Sequence, residues 1–358
     1  MLNLNFKDAK SIQFELTLEG EGCVNYDSSE QLTFLRNVGL VNKTDTAFFN
    51  NGKPLKNILL SKKNFRRSPD DENVIEYHVK VSSECLRNAI FKEGIPLQSP
   101  TVMTLPLILY RAIAHPDSLI RGYLYTTKGG ISLKKKSPIC ITDAEEVGPW
   151  RRSIATDFHS RSGEKELKND KDSDSPKDNT IYKIENVGNV TYKAKGVIDL
   201  QELAFISGDP LYDRMAVDVD GGENCKLYLD TLKQFTNKEH EFKYYYLQNA
   251  YTSDEWAERG ILLDNETVNK LIKRALYGML NISIIRRNSF LKTKELNVTI
   301  NLSNGKTETV TLTKENIDDF NIEFVSNYIE SDFDKIKANK EELEKIKKNK
   351  KSTSKQDN

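Results

Sequence analysis

Residues 11 to 19, SIQFELTLE, alternate without a break. Ile12, Phe14, Leu16 and Leu18 fall on one side, and Gln13, Glu15, Thr17 and Glu19 on the other. A period of two over this length predicts a strand with one face on a core. Gly20 and Gly22 then allow a sharp turn or bulge before Asn25 and Tyr26. The period changes in VSSECLRNAIF, residues 81 to 91, where Leu86, Ala89 and Ile90 recur at helical spacing behind Ser82 and Ser83. Serine ahead of such a run marks a helix start. The clearest helix is DNETVNKLIKRALYGML. Asp264 or Asn265 can cap it, Glu266 suits its first turn, and Val268, Leu271, Ile272, Ala275, Leu276, Met279 and Leu280 form one apolar stripe. ELNVTINLSNGKTETVTLT reads as a hairpin turning at Asn304–Gly305.

Between these landmarks, TVMTLPLILYRAIA (101 to 114) reads as a buried helix disturbed by Pro106. SLIRGYLYT reads as a strand and GGISLKKKSPICIT as a basic loop feeding another. TYKAKGVIDLQELAFIS and RMAVDV read as further strands. Residues 36 to 75 are mixed and polar, with basic pairs Lys62–Lys63 and Arg66–Arg67, and predict an inserted loop or hairpin. Residues 160 to 179 hold a single large apolar residue, Leu167, too little to bury a core. From Asp332 the chain is charged, lysine-rich and helical in pattern. Strands dominate and the helices are few and amphipathic. The fold class is α+β, a ferredoxin-type sandwich with long insertions rather than a doubly wound parallel sheet. One body over 1–330 is expected, with insertions at about 36–75 and 146–190. A charged tail over 331–358 follows.

Charge narrows the function. Lys plus Arg and Asp plus Glu are 53 each in 358 residues, so there is no global attraction to nucleic acid. A polyanion site must come from local clustering. Cys23, Cys85, Cys140 and Cys225 lie far apart, which argues against a disulfide framework or a structural zinc site. No apolar run reaches membrane length and no signal-peptide pattern opens the chain, so a cytoplasmic protein is expected. No phosphate-binding GxxxxGK[ST] loop occurs, and GEG lacks the third glycine of a dinucleotide site. His78, His115, His159 and His240 are isolated, and there is no GxSxG elbow. These absences predict no catalytic residue, metal or cofactor.

The remaining candidates are cationic. At Ser82, Ser83 and Arg87, free N–H groups and the helix dipole favour a phosphate oxygen, with Arg87 closing a fork on it. The bland alternative is a serine cap with a surface arginine, and this window alone favours it. Lys134, Lys135 and Lys136 follow Gly129–Gly130 and cannot share one face. They suit a phosphate track or a solubilising loop. Arg286 and Arg287 stand where the long helix gives way to a strand. Arg121 interrupts an apolar stretch and wants a partner, internal or bound. The aromatic run FKYYYLQNAY could stack bases, although strand packing explains it better.

Taken in order, LEGEGCVNYD, VSSECLRNAIF, LIRGYLYTTKGGISLKKKSPICI, LQELAFISGDPLYDRMAV and GILLDNETVNKLIKRALYGMLNISIIRR carry a resemblance. The chain resembles the repeated backbone subunit, of the RAMP superfamily, of type I CRISPR surveillance complexes (Cascade), in their compact type I-F variant. The resemblance spans roughly residues 10 to 312, with gaps. It implies a modified RRM or ferredoxin-like palm with inserted finger and thumb elements; residues 36 to 75 are the first choice for the thumb. It implies a non-catalytic subunit that stacks with further copies of itself along a CRISPR RNA and grips the spacer backbone. A target DNA strand then pairs with the guide, and other Cascade subunits complete the particle. On the matching motifs it places Ser82, Ser83 and Arg87 on phosphate, Asn25 and Tyr26 near the RNA, and Lys134 to Lys136 along the strand. Arg121, Arg286 and Arg287 follow by neighbourhood. Such a guide keeps its bases free, so the protein should read phosphates and shape. The excursion at 160 to 179 and the tail exceed the compact pattern. Two alternatives stay open. One is a related RAMP ribonuclease, with Asp27 as the residue to test; the other is a generic single-stranded RNA binder, for which the aromatic RNP1 signature is missing.

Overall fold

The computed structural model describes residues 4–22, 24–27, 49–50, 53–54, 58–91, 106–126, 130, 132–152, 156–161, 180–185, 187–209, 215–248, 256–286 and 289–332. The charged tail beyond residue 332, residues 162–179 of the excursion expected at 160–179, much of the 36–75 segment and Arg287 lie outside the described residues. Six α-helices are described: α1 (Ser83–Ile90), α2 (Pro106–Ala114), α3 (Pro116–Arg121), α4 (Leu200–Ala204), α5 (Glu223–Thr236) and α6 (Asn265–Leu280). The main sheet is built on β1 (Asn5–Glu21), β2 (Ile75–Val81), β3 (Ile139–Ile141), β4 (Ala144–Glu146), β5 (Asn189–Asp199) and β6 (Ser289–Leu302).

That sheet has ten strands, ordered Ser283–Arg286, β6, β1, β5, β4, β2 and Lys63–Arg67. Beside this path β3 pairs with β5, Thr307–Leu312 with β6, and Asn321–Phe324 runs parallel to β1. The central neighbours are antiparallel. The alternation of the first strand sets its register. Ile12, Phe14, Leu16 and Leu18 are buried, facing Ile198, Ala194 and Tyr192 of β5 and Ile300, Val298 and Leu296 of β6. A one-residue slip would turn this whole set to solvent.

Helix α6 lays its apolar stripe on the same core. Val268, Leu271, Ile272, Ala275, Leu276 and Met279 are buried. Each of these side chains other than Ala275 contributes roughly 1.5–3 kcal/mol by burial. Asp264 caps the helix, its carboxylate accepting from Thr267 N at 2.8 Å. Helix α1 buries Leu86 and Ile90 and packs against α6. At their crossing a Cβ on Gly278 would sit 2.6 Å from Ile90 O, so only glycine permits this approach. Helix α3 is tied to α6 by Asp117, whose carboxylate binds the Arg274 guanidinium, Nη2 to Oδ2 at 2.8 Å.

Several expectations change. SLIRGYLYT is not one strand: Pro116 opens α3, and Gly122 at φ +74° ends it before the strand Tyr123–Thr126. Pro106 likewise opens α2 rather than disturbing it, since proline suits a first helical position. SLKK forms a strand, Ser132–Lys135, paired antiparallel with Tyr123–Thr126. QELA, inside an expected strand, is α4, capped by Asp199. RMAVDV is not a strand over its described residues 215–219. Helix α5 has a buried face, Cys225, Tyr228, Leu232 and Thr236, that the sequence reading passed over. The strand Lys63–Arg67, in the segment expected as an insertion, extends the main sheet beside β2. A second sheet joins Tyr26–Asp27, Ile58–Ser61, Thr180–Glu185 and Thr156–Arg161. It thus unites pieces of both expected insertions. Lys243–Leu247, from the aromatic run, is a strand of a third sheet. There Tyr245 meets Phe205 edge-on at 5.8 Å, and Phe205 stacks on Tyr328 at 4.0 Å. No helix among the described residues is long and apolar enough to cross a membrane.

Candidate nucleic-acid interface

Helix α1 organises the predicted residues, and its start already holds an anion. Ser82 is the cap: its Oγ accepts from Cys85 N at 3.4 Å and from Asn25 Nδ2 at 2.7 Å. Ser83 N donates to Asp143 Oδ1 at 2.9 Å, and Asp143 Oδ2 pairs with Lys80 Nζ at 3.0 Å. Burial pushes the Asp143 carboxyl up. The Ser83 N–H, the Lys80 ammonium and the charge of Lys62 outweigh burial and hold it below the usual carboxylate range. The positive helix end therefore attracts a carboxylate of its own chain. Backbone bonds Lys62 N to Asn25 O (3.0 Å) and Lys80 N to Lys62 O (2.8 Å) draw the three residues together. Burial raises the Cys85 thiol, while the charges of Arg286 and Lys62 pull it back.

One turn on, Arg87 is engaged inside the protein. Its Nη1 donates to Ile139 O at 2.8 Å and to Ser137 Oγ at 3.1 Å, and its Nη2 to Arg121 O at 2.6 Å. Burial lowers its pKa and the Arg121 charge lowers it further. Lys135 is also turned inward. It is 4 % exposed, and its Nζ donates to Glu202 O at 2.7 Å and Phe205 O at 3.0 Å. Strand geometry explains this, because successive side chains of Ser132–Lys135 point to opposite faces. Lys134 is half-buried and Lys136 exposed. Arg121 is half-buried, and its Nη2 donates to Asn88 Oδ1 at 2.9 Å. Arg286 is exposed at the end of its strand, next to Ile285, 76 % exposed. Tyr26 lies on the short strand Tyr26–Asp27, whose side chains lie outside the described residues, as does all of Arg287.

Among the described residues, Arg121, Lys136, Arg286 and Lys62 have no carboxylate within ion-pair distance. The open face of the main sheet contrasts with this. There Glu15 binds Lys193 at 2.6 Å and approaches Lys195 at 3.9 Å, Glu19 binds Lys292 at 3.1 Å, and Asn64 Nδ2 donates to Glu145 Oε1 at 2.6 Å. A shallow pocket of about 410 Å³ on that face is lined by Gln13, Glu15, Cys140, Lys195, Asn297 and Thr299, among others. Lys62, Lys80, Asn88 and Asp143 escaped the sequence reading. Lys62 stood in a visible basic pair, but nothing in the chain order ties residues 62, 80 and 143 together. Three histidines have structural partners: His78 stacks on Trp150 at 3.8 Å, His115 Nδ1 caps α3, and His240 Nε2 meets Thr236 Oγ1 at 2.7 Å. Among the described residues, no three His, Cys, Asp or Glu side chains gather as a metal site requires.

An α+β body whose cations Arg121, Lys136, Arg286 and Lys62 lack a carboxylate partner among the described residues can hold a polyanion. The chain belongs to the family of type I-Fv CRISPR-associated proteins described as Cas7fv-like, whose model matches residues 8–352. No match was found among curated proteins. Among solved structures, a chain of a "CRISPR RNA-guided surveillance complex" aligns at 9 % identity and TM-score 0.34, covering 82 % of this chain and 70 % of that one. A chain of a "CRISPR RNA-guided surveillance complex, pre-nicking" aligns at 7 % identity and TM-score 0.35, covering 81 % and 75 %.

Proposed function

We infer that this chain is a CRISPR RNA-binding backbone subunit of a type I surveillance complex. Several copies assemble along the spacer of the guide, together with other Cascade subunits. They hold its sugar-phosphate chain and leave its bases to pair with a target DNA strand. The observation that carries this reading is the family match across nearly the whole chain. The role needs shape and charge rather than bond-making chemistry, so the subunit is non-catalytic and works in the cytoplasm. The palm is RRM-like: β6, β1, β5 and β3–β4 stand in a row, and α3 and α6 lie between successive strands in the chain, in the order of a split βαβ sandwich.

The guide lies along α1. Its phosphates meet Lys62, Arg286, Arg121 and Lys136, with Asn25, Tyr26, Ser82 and Ser83 at the helix start, and Lys134 and Arg287 flanking. Arg87 and Lys135 support the surface from inside. A generic RRM binder stacks bases on aromatic residues of its open sheet face. Here the corresponding positions are Gln13, Glu15, Thr17, Glu19, Lys193 and Lys195, largely locked in ion pairs. That favours the backbone reading over the generic one. The test is co-expression with a CRISPR array, followed by sizing of the purified ribonucleoprotein. A multi-copy particle whose mass grows with spacer length is expected; a fixed one-to-one complex rejects the reading. Cut RNA that disappears in Asp27→Ala would instead support the ribonuclease alternative.

A further inference from the structure

Two consecutive residues of α1 hold Arg121 at both ends. The Arg87 guanidinium takes the Arg121 backbone carbonyl at 2.6 Å, and the Asn88 amide oxygen accepts from the Arg121 guanidinium at 2.9 Å. Arg87 also grips the far side of the same junction through Ser137 Oγ and Ile139 O. The single Ser137 hydroxyl proton has two carbonyl acceptors in reach, Ile139 O at 2.9 Å and Ile120 O at 3.2 Å. Gly122, directly after Arg121, packs so closely that a Cβ would sit 2.6 Å from Ser137 N. The last residue of α3 is therefore fixed in position, in side-chain direction and in its distance from the chain leaving the hairpin.

A guanidinium offers five donors. Arg121 uses one on a neutral amide and has no carboxylate within reach among the described residues. Arg87, close enough for the Arg121 charge to lower its pKa, brings a second positive charge that Glu84 offsets only in part. Holding two like charges together costs free energy that an external anion would recover. Asn88 is exposed, and an aspartate there would fit the same space and neutralise Arg121. An uncharged residue that orients an arginine without neutralising it is suited to presenting that arginine to a ligand.

We propose that Arg121 contacts one phosphodiester of the bound RNA directly, and that Arg87 and Asn88 are positioning residues that aim it without touching the RNA. This rests on the RNA-binding reading above and assigns roles within that site. It reverses the simple expectation that Arg87, nearest the helix start, closes on phosphate.

The test measures binding of a labelled single-stranded guide RNA by the full chain over a range of salt. Each phosphate of single-stranded RNA that the protein no longer neutralises lowers the slope of log K against log salt by about 0.7. Arg121→Gln should lose that amount, with affinity falling about equally for all spacer sequences. Asn88→Asp should reproduce the loss, and Asn88→Asp with Arg121→Gln should add nothing further. Arg87→Lys retains the charge but cannot fork across three acceptors. It should bind as weakly as Arg87→Gln, with faster amide exchange in residues 121–126 of the free protein. Wild-type affinity in Asn88→Asp, or full rescue by Arg87→Lys, would overturn the assignment. If Arg87→Lys fails to fold, Ser137→Ala, which removes one acceptor and no charge, must show the faster exchange. If the unaltered chain shows no salt-dependent RNA binding, the RNA reading itself fails, a result distinct from any variant's.

Discussion

At the scale of single residues, the informative feature is which cations are already used. Lys135 was one of three lysines in a row, yet its ammonium is sealed onto two backbone carbonyls near α4. Lys135→Met would leave both carbonyls without a donor. A loss of about 2–4 kcal/mol in urea unfolding is expected, with the salt slope of RNA binding unchanged. Asp143 is the opposite case, a carboxylate placed among cations. Burial pushes its carboxyl up, but the Ser83 N–H and Lys80 dominate and leave its folded value lowered. A lowered folded value means that its contribution is fully present above the unfolded value, near 3.9. The contribution is lost as pH falls through the folded value. Urea unfolding between about pH 2 and 5 should therefore show a shallower acid limb in Asp143→Asn than in the unaltered chain. An equal acid limb would remove Asp143 from the account.

At the scale of elements, the hairpin Tyr123–Thr126/Ser132–Lys135 is held at its root by packed polar contacts. Tyr123 Oη donates to Ala216 O at 2.7 Å, Lys134 N donates to Met215 O at 2.7 Å, and Arg87 closes the base. Gly122 is the hinge, at φ +74°, where a side chain would also strike Lys135 O at 2.7 Å. Gly122→Ala is expected to cost at least about 1–3 kcal/mol, through the strained φ and the clash together. It should also speed amide exchange in both hairpin strands while β5 stays protected. Equal protection in the hairpin would show that the root is less tight than its geometry implies. A milder version holds at Gly278→Ala, where the new methyl meets Ile90 O and must push α1 away from α6.

At the scale of the whole molecule, a net charge of zero coexists with cations that lack a carboxylate partner among the described residues, because the compensation is local. On the open sheet face Lys193 and Lys195 answer Glu15, and Lys292 answers Glu19. Arg121, Lys136, Arg286 and Lys62 have no such partner among the described residues. Lys193→Gln with Lys195→Gln should leave RNA affinity within about twofold and the salt slope unchanged, whereas Lys136→Gln with Arg286→Gln should lower the slope by about 1.4. A slope that falls equally for both pairs would place the RNA on the sheet. The sequence by itself determined the elements whose pattern is local. The alternation of β1, the stripe of α6, the cap at Ser82 and the Asn304–Gly305 turn all follow from neighbours a few residues apart. It also carried the family resemblance, an ordered set of such local motifs. Only the tertiary structure decided which charges face out. Arg87 and Lys135 look like surface cations in one dimension, and their acceptors at 121, 137, 139, 202 and 205 are brought to them by packing. Asp143 reaches α1 only because β4 lies beside β2, with Ala144 opposite Val81. A charge is exposed or satisfied according to what the fold places within about 3 Å of it, and sequence distance carries almost none of that information.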